Sequence, residues 1–237
     1  AVYGLQPSYR RTDYGGADVV TRWADEFLEG VRAVQPAGPY RFLGHSFGGL
    51  VAFEMARRVR EAGGQVELLA LLDAGAPYRP AQPFGADWEE ADWLRALLVL
   101  AGRVVELELG PSREALAALR VDEARRRVLA SMREHGLVPP EIDDVEALGF
   151  FHAFRTAAGN SYLPAGPYRG RVVFFRATSS HPQDFEPDEE QRAMFRNPAM
   201  GWERWVDGPI DVVPIPGDHV SILRPPGSLR IAEALAK

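Results

Sequence analysis

Arg41-Phe42-Leu43-Gly44-His45-Ser46-Phe47-Gly48-Gly49-Leu50 is the stretch on which the rest of the chain is organised. Phe42 and Leu43 end an apolar run, and Gly44-His45-Ser46-Phe47-Gly48 follows at once. Leu50, Val51, Phe53, Met55 and Ala56 then begin an apolar pattern of helical type. The spacing predicts a strand, a very tight turn and a helix, with Ser46 at the apex. A serine on so sharp a turn is held in strained backbone geometry, and small residues two positions to either side, Gly44 and Gly48, are expected to let strand and helix pass closely. The hydroxyl is then pushed into the open above a sheet, and the backbone N–H of Phe47, at the start of the helix, can face a developing oxyanion. The competing reading is a glycine-rich turn used for packing alone.

Outward from this elbow, strands alternate with helices. Ala1 to Leu5 reads as a short strand and Gln6 to Gly16 as a polar loop; Val19, Val20, Trp23, Phe27, Leu28, Val31 and Val34 then recur at helical spacing. Tyr40 to Leu43 is the strand into the elbow, and its helix is expected to run to about Ala62, where Gly63-Gly64 stops it. Val66 to Leu72 is almost wholly apolar, as a strand covered on both faces should be, and ends on Asp73. From Pro77 to about Tyr162 the sequence turns helical: Trp88 to Leu100, Ser112 to Leu119, Val121 to His135 and Val145 to Ala158. Strands resume at Arg171 to Ala177 and Ile210 to Ile215, separated by a polar, acidic connection of little pattern from Ser179 to Met200. A helix from Ser228 to Ala236 closes the chain. The expected architecture is α/β, a mostly parallel sheet flanked by helices, with core residues 1–76 and 162–237 and a helical insertion over 77–161.

Composition bounds the function. The 237 residues are 46% hydrophobic and carry a formal net charge of −6, which offers nucleic acid or an anionic membrane no general attraction. The absence of cysteine removes disulfides, thiolate metal sites and a cysteine nucleophile, and is compatible with a reducing, cytoplasmic setting. No apolar run is long enough for a bilayer, and the first residues do not read as a secretory signal.

A serine hydroxyl becomes a nucleophile only when a base takes its proton and an acid orients that base. Of five histidines, His45 adjoins the serine but should point away from it, His135 and His152 fall in the helical insertion, and His181 lies in an irregular loop. His219 follows the last strand, at the sheet edge where the elbow opens, and is the favoured base. For the acid, Asp73 ends the strand after the nucleophile's helix, 27 residues beyond Ser46; Asp184, in the loop after the next strand, competes with it, and Asp218 is expected to shape the histidine's turn. Asp73 is favoured.

Together, Gly38 to Ala56 around the elbow, Leu68-Leu69-Ala70-Leu71-Leu72-Asp73 and Pro216-Gly217-Asp218-His219 resemble the type I thioesterase domains that end nonribosomal peptide synthetases and polyketide synthases. Val2 to Gln6 and Arg32 to Pro36 are similar too; the region between the core segments is only loosely like the family's variable lid. The resemblance implies an α/β-hydrolase fold, a triad of Ser46, His219 and Asp73, and no cofactor bound by the domain itself. It further implies a partner, an upstream carrier domain presenting an acyl or peptidyl thioester on 4′-phosphopantetheine. Release would follow by water or by an internal amine or hydroxyl. In this family a strand and a glycine-containing loop precede the Val-Tyr-Gly-Leu segment, and that loop supplies the second oxyanion donor. Here both are expected to be missing, so Phe47 alone is named. Trp88, Trp93, Leu94, Leu97, Leu98, Phe150, Phe151 and Phe154 form either an apolar lid underside over Ser46 or packing between insertion and core, and Arg125-Arg126-Arg127 either a solvated face or a patch for an acidic carrier. Two other functions compete: a stand-alone editing thioesterase, and a catalytically silent hydrolase-like binding module.

Overall fold

The computed structural model describes residues 2–7, 19–79, 84–159, 161–179 and 189–236. Four parallel strands, β1 (Tyr40–His45), β2 (Val66–Leu72), β3 (Val172–Ala177) and β4 (Ile210–Ile215), lie side by side in chain order. Parallel neighbours need a crossover between them. Helix α2 (Phe47–Glu61) makes the first one, from β1 to β2. Leu69, Ala70, Leu71 and Leu72 are all buried whichever way they point, so both faces of β2 are covered. On one face Ala70, Leu72, Phe175, Ala177 and Ile215 pack with Ile222 and with Ile231 of the closing helix α8 (Gly227–Leu235). Burying each large side chain of this kind is worth about 1.5–3 kcal/mol. In front of β1, α1 (Val19–Val34) buries Val19, Val20, Trp23, Ala24 and Leu28 and lies against α2, where Trp23 meets Phe47 edge-on with ring centroids 5.3 Å apart.

The chain forms two compact units. The first holds the sheet and, among the described residues, 2–7, 19–79, 161–179 and 189–236; the second is helical and comprises 84–159. In the second, α3 (Glu90–Val105) is the element on which α4 (Arg113–Ala117), α5 (Val121–Glu134) and α6 (Asp144–Ala158) pack. A capping box between Glu89 and Asp92 starts α3, while Ser112 and Asp143 cap α4 and α6 with side-chain oxygens. Trp93, Leu94, Leu97, Leu98 and Phe151 are buried in this unit's own core, with Trp88 and Phe154 packed against it. These apolar side chains fill the helical unit itself, whereas Phe150 stays exposed. Of the arginine run, Arg125 pairs with Glu90 at 2.6 Å and stands over the Phe151 ring, leaving Arg126 and Arg127 exposed.

Two expectations are corrected. Residues 2–7 form no strand, and Val2, Tyr3 and Leu5 are exposed. An extended segment becomes a strand only where a neighbour takes up its backbone groups, and among the described residues β1 is paired with β2 alone. Second, the connection after β3 contains α7 (Glu189–Arg196). It has glutamates in its first turn and Arg196 in its last, matching the helix dipole, but it is eight residues long and among its described side chains only Met194 is buried.

Candidate active site

Ser46 sits between the end of β1 and the start of α2 with φ 53° and ψ −125°, a backbone conformation that a residue with a Cβ seldom adopts. Such strain costs on the order of 1–3 kcal/mol and persists only where the surroundings over-determine it. Here Ser46 N–H donates to Leu72 O at 3.0 Å, tying the apex to β2, and Ser46 O accepts from Gly49 N–H at 2.9 Å. The close approach is made by Gly44 and Gly49. A Cβ on Gly44 would lie 2.1 Å from Gly48 O, and one on Gly49 would lie 2.4 Å from Ala74 Cβ. A Cβ on Gly48 would meet nothing within 4 Å, so the expectation that Gly48 serves the close passage is corrected. The strand at Gly44 passes against the Gly48 backbone itself, and the position where the helix leaves no room for a side chain of its own is Gly49, against Ala74.

β2 delivers Asp73. Asp73 follows its last residue with φ 46°, is 1% exposed, and donates its own N–H to Phe175 O of β3. A carboxylate taken so far from water needs donors. Ala177 N–H donates to its Oδ1 at 3.0 Å, and His219 Nδ1 lies 2.9 Å from its Oδ2. The chain beyond Asp73 is held by two indoles: Trp202 Nε1–H donates to Ala74 O at 2.6 Å and Trp205 Nε1–H to Pro77 O at 2.8 Å.

His219 stands in the turn after β4, which Asp218 organises. The Asp218 carboxylate accepts from the N–H groups of Val220 and Ser221, and Ser221 Oγ accepts from Asp218 N–H. From this turn the imidazole reaches Asp73 with Nδ1 and Ser46 Oγ with Nε2, at 2.9 Å in both cases. Because the carboxylate only accepts, the neutral ring carries its proton on Nδ1. Nε2 is then bare and accepts from the serine hydroxyl. Ser46, His219 and Asp73 are therefore one hydrogen-bonded relay, able to draw a proton off Oγ and hold the resulting imidazolium against a buried carboxylate. Phe47 is the first residue of α2, whose N-terminal amides have no acceptor within the helix and carry the positive end of its dipole.

The other candidates lie elsewhere. His135 Nδ1 bonds to Ser131 O at 2.8 Å on α5. His152 is on α6, where burial, helped by Arg125, holds its pKa below the usual imidazole range. His181 and Asp184 fall outside the described residues. His45, expected to point away from Oγ, meets the backbone carbonyl of His219 with its Nε2 at 2.7 Å, a contact that spacing alone did not signal.

Behind the elbow, α2 buries Glu54, which accepts from Arg57, Arg58 and the Tyr162 hydroxyl. Burial alone would raise its pKa, but the hydrogen bonds from Arg57, Tyr162 and Arg58 together hold it below the usual carboxylate range. Among the described residues no cluster of three or more His, Asp or Glu side chains is placed to hold a metal ion, and no helix is long and apolar enough to cross a membrane.

The model of the Thioesterase domain family matches residues 2–237. A dimodular nonribosomal peptide synthase of Bacillus subtilis (strain 168) is 31% identical over 216 residues, covering 90% of this chain and 8% of that protein. Chondramide synthase cmdD of Chondromyces crocatus is 25% identical over 85% of this chain and 5% of its own length. The chain thus spans less than a tenth of these curated relatives. Among solved structures, the Vlm2 thioesterase domain superposes with a TM-score of 0.59 at 22% identity, over 97% of this chain and 75% of that one. The NocB thioesterase domain from the nocardicin cluster does so with a TM-score of 0.54 at 25% identity, over 98% and 79%.

Proposed function

The chain belongs to the Thioesterase domain family, with the α/β-hydrolase fold, and on that premise we propose that it terminates assembly-line synthesis by lifting an acyl or peptidyl chain from a carrier-protein thioester and releasing it. The observation that carries this reading is the relay from Asp73 through His219 to Ser46 Oγ. In acylation, Oγ attacks the thioester carbonyl as its proton passes to His219 Nε2. The tetrahedral intermediate expels the phosphopantetheine thiolate, which leaves with the proton from His219, and the chain remains as an ester on Ser46. In the second half, His219 takes the proton of an attacking water, or of an amine or hydroxyl on the bound chain, and returns it to Oγ. The products are a free acid or a macrocycle. The Phe47 N–H at the start of α2 stabilises the oxyanion in both halves. The partner is an upstream carrier domain, and the helical unit, which has a core of its own, is the family's lid.

The test is covalent. A fluorophosphonate should label the protein once, with the added mass on Ser46, and a panel of acyl- and peptidyl-thioester mimics should yield acids or rings identified by mass. An unlabelled native protein that turns over none of the panel would favour the silent binding module.

A further inference from the structure

We propose that His45, the residue before the nucleophile, is a positioning residue that fixes the backbone of His219 and so aims its imidazole. This rests on the reading of Ser46 and His219 given above. His219 O only accepts, so His45 Nε2, 2.7 Å away, donates to it and carries a proton. The two rings also lie in contact at a tilt, with centroids 4.6 Å apart and planes 35° to one another. His219 is then gripped at three points: its carbonyl by β1, its Nδ1 by the end of β2, and its Nε2 by the elbow. The turn carrying it bonds largely to itself through Asp218 and Ser221. That sets the turn's shape; Ser179 N–H, donating to Gly217 O at 2.9 Å, ties the start of the turn to the chain after β3, and the bond from His45 ties His219 itself to β1. Since His45 is covalently next to Ser46, the clamp references the base to the nucleophile's own strand, and movement of the elbow carries both.

An imidazole a fraction of an ångström out of place loses its bond to Oγ, and misplacement by about 1 Å costs on the order of a hundredfold in rate. A phenylalanine at 45 keeps ring and bulk without the donor; glutamine keeps an N–H at nearly the reach of Nε2. In the 237-residue chain, His45→Phe should therefore slow fluorophosphonate labelling of Ser46 by roughly ten- to a hundredfold, and His45→Gln should recover most of that loss. Proton NMR supplies a readout independent of reactivity. The native chain should show an exchange-protected His45 Nε2–H and a downfield His219 Nδ1–H, with the second broadened or lost in His45→Phe and retained in His45→Gln. Native-like labelling by His45→Phe with an intact His219 signal would overturn the proposal, as would equal defects in both variants. If the native chain were never labelled yet the His219 signal still depended on the donor at 45, the clamp would stand and the Ser46 reading would fall.

Discussion

Replacing Asp73 by asparagine changes one atom of a buried group, and the structure determines which way the amide must turn. Among the described residues, the Ala177 N–H faces Oδ1 of the carboxylate and the His219 Nδ1–H faces Oδ2. An asparagine has one oxygen for both. Turning its NH2 toward Ala177 would set two donors against each other at a site 1% exposed, at a cost of about 1–3 kcal/mol. The oxygen therefore stays on Ala177 and the NH2 faces His219, which accepts only in the opposite tautomer. Nε2 then carries the proton and no longer accepts from Ser46. Recovering the productive tautomer costs that same ~1–3 kcal/mol, and losing the carboxylate's charge-assisted bond to the imidazolium costs a further ~1.5–3. At about 1.4 kcal/mol per decade, Asp73→Asn should slow Ser46 acylation by roughly 10²–10⁴-fold with little change in fold. The assay is single-turnover acylation by a thioester mimic, beside a denaturant melt and the corresponding Asp184→Asn variant. An Asp73→Asn protein that melts like the native one and acylates within threefold of it would refute the argument, as would equal defects in the two asparagine variants.

Further outcomes follow from particular contacts. Ser46→Ala should abolish labelling and release, while Ser46→Gly, which relieves the positive φ, should raise unfolding free energy by about 1 kcal/mol in urea; no gain would mean the apex is unstrained. Gly49→Ala should lose about 1–3 kcal/mol because its Cβ meets Ala74, whereas Gly48→Ala, in open space within a helix, should be neutral or slightly stabilising by the same melts. Glu54→Gln should cost about 1–3 kcal/mol at neutral pH, since it removes the buried carboxylate facing Arg57 and leaves that guanidinium only the exposed Glu61 as a countercharge. A carboxyl whose pKa is lowered on folding contributes stability present above its unfolded pKa of about 4.3 and lost as pH falls through the folded value, so the gap between native and variant should narrow below about pH 4. A gap that widened in acid would reverse the assignment.

Much of the sheet unit was legible because its signals are local. The run from Tyr40 to Leu72 alternates strand, turn and helix chemistry within a few dozen residues, and the structure places β1, α2 and β2 there. The helical unit was legible for the same reason, through apolar positions at the period of α3. Short segments were not. Helix α7 is eight residues long and mostly polar, and residues 2–7 carry strand-forming side chains but no paired neighbour.

The amino-acid order by itself determined the elbow, the order of strands and helices, and which histidines and aspartates were worth weighing, because each depends on spacing along a chain of fixed stereochemistry. Tertiary structure alone decided that His219 reaches across 173 positions to Ser46 and 146 to Asp73, that Gly49 rather than Gly48 meets Ala74, and that His45 holds a carbonyl 174 positions on. Where a side chain points, and what it meets there, is set by elements brought alongside it in folding, and no local period carries that information.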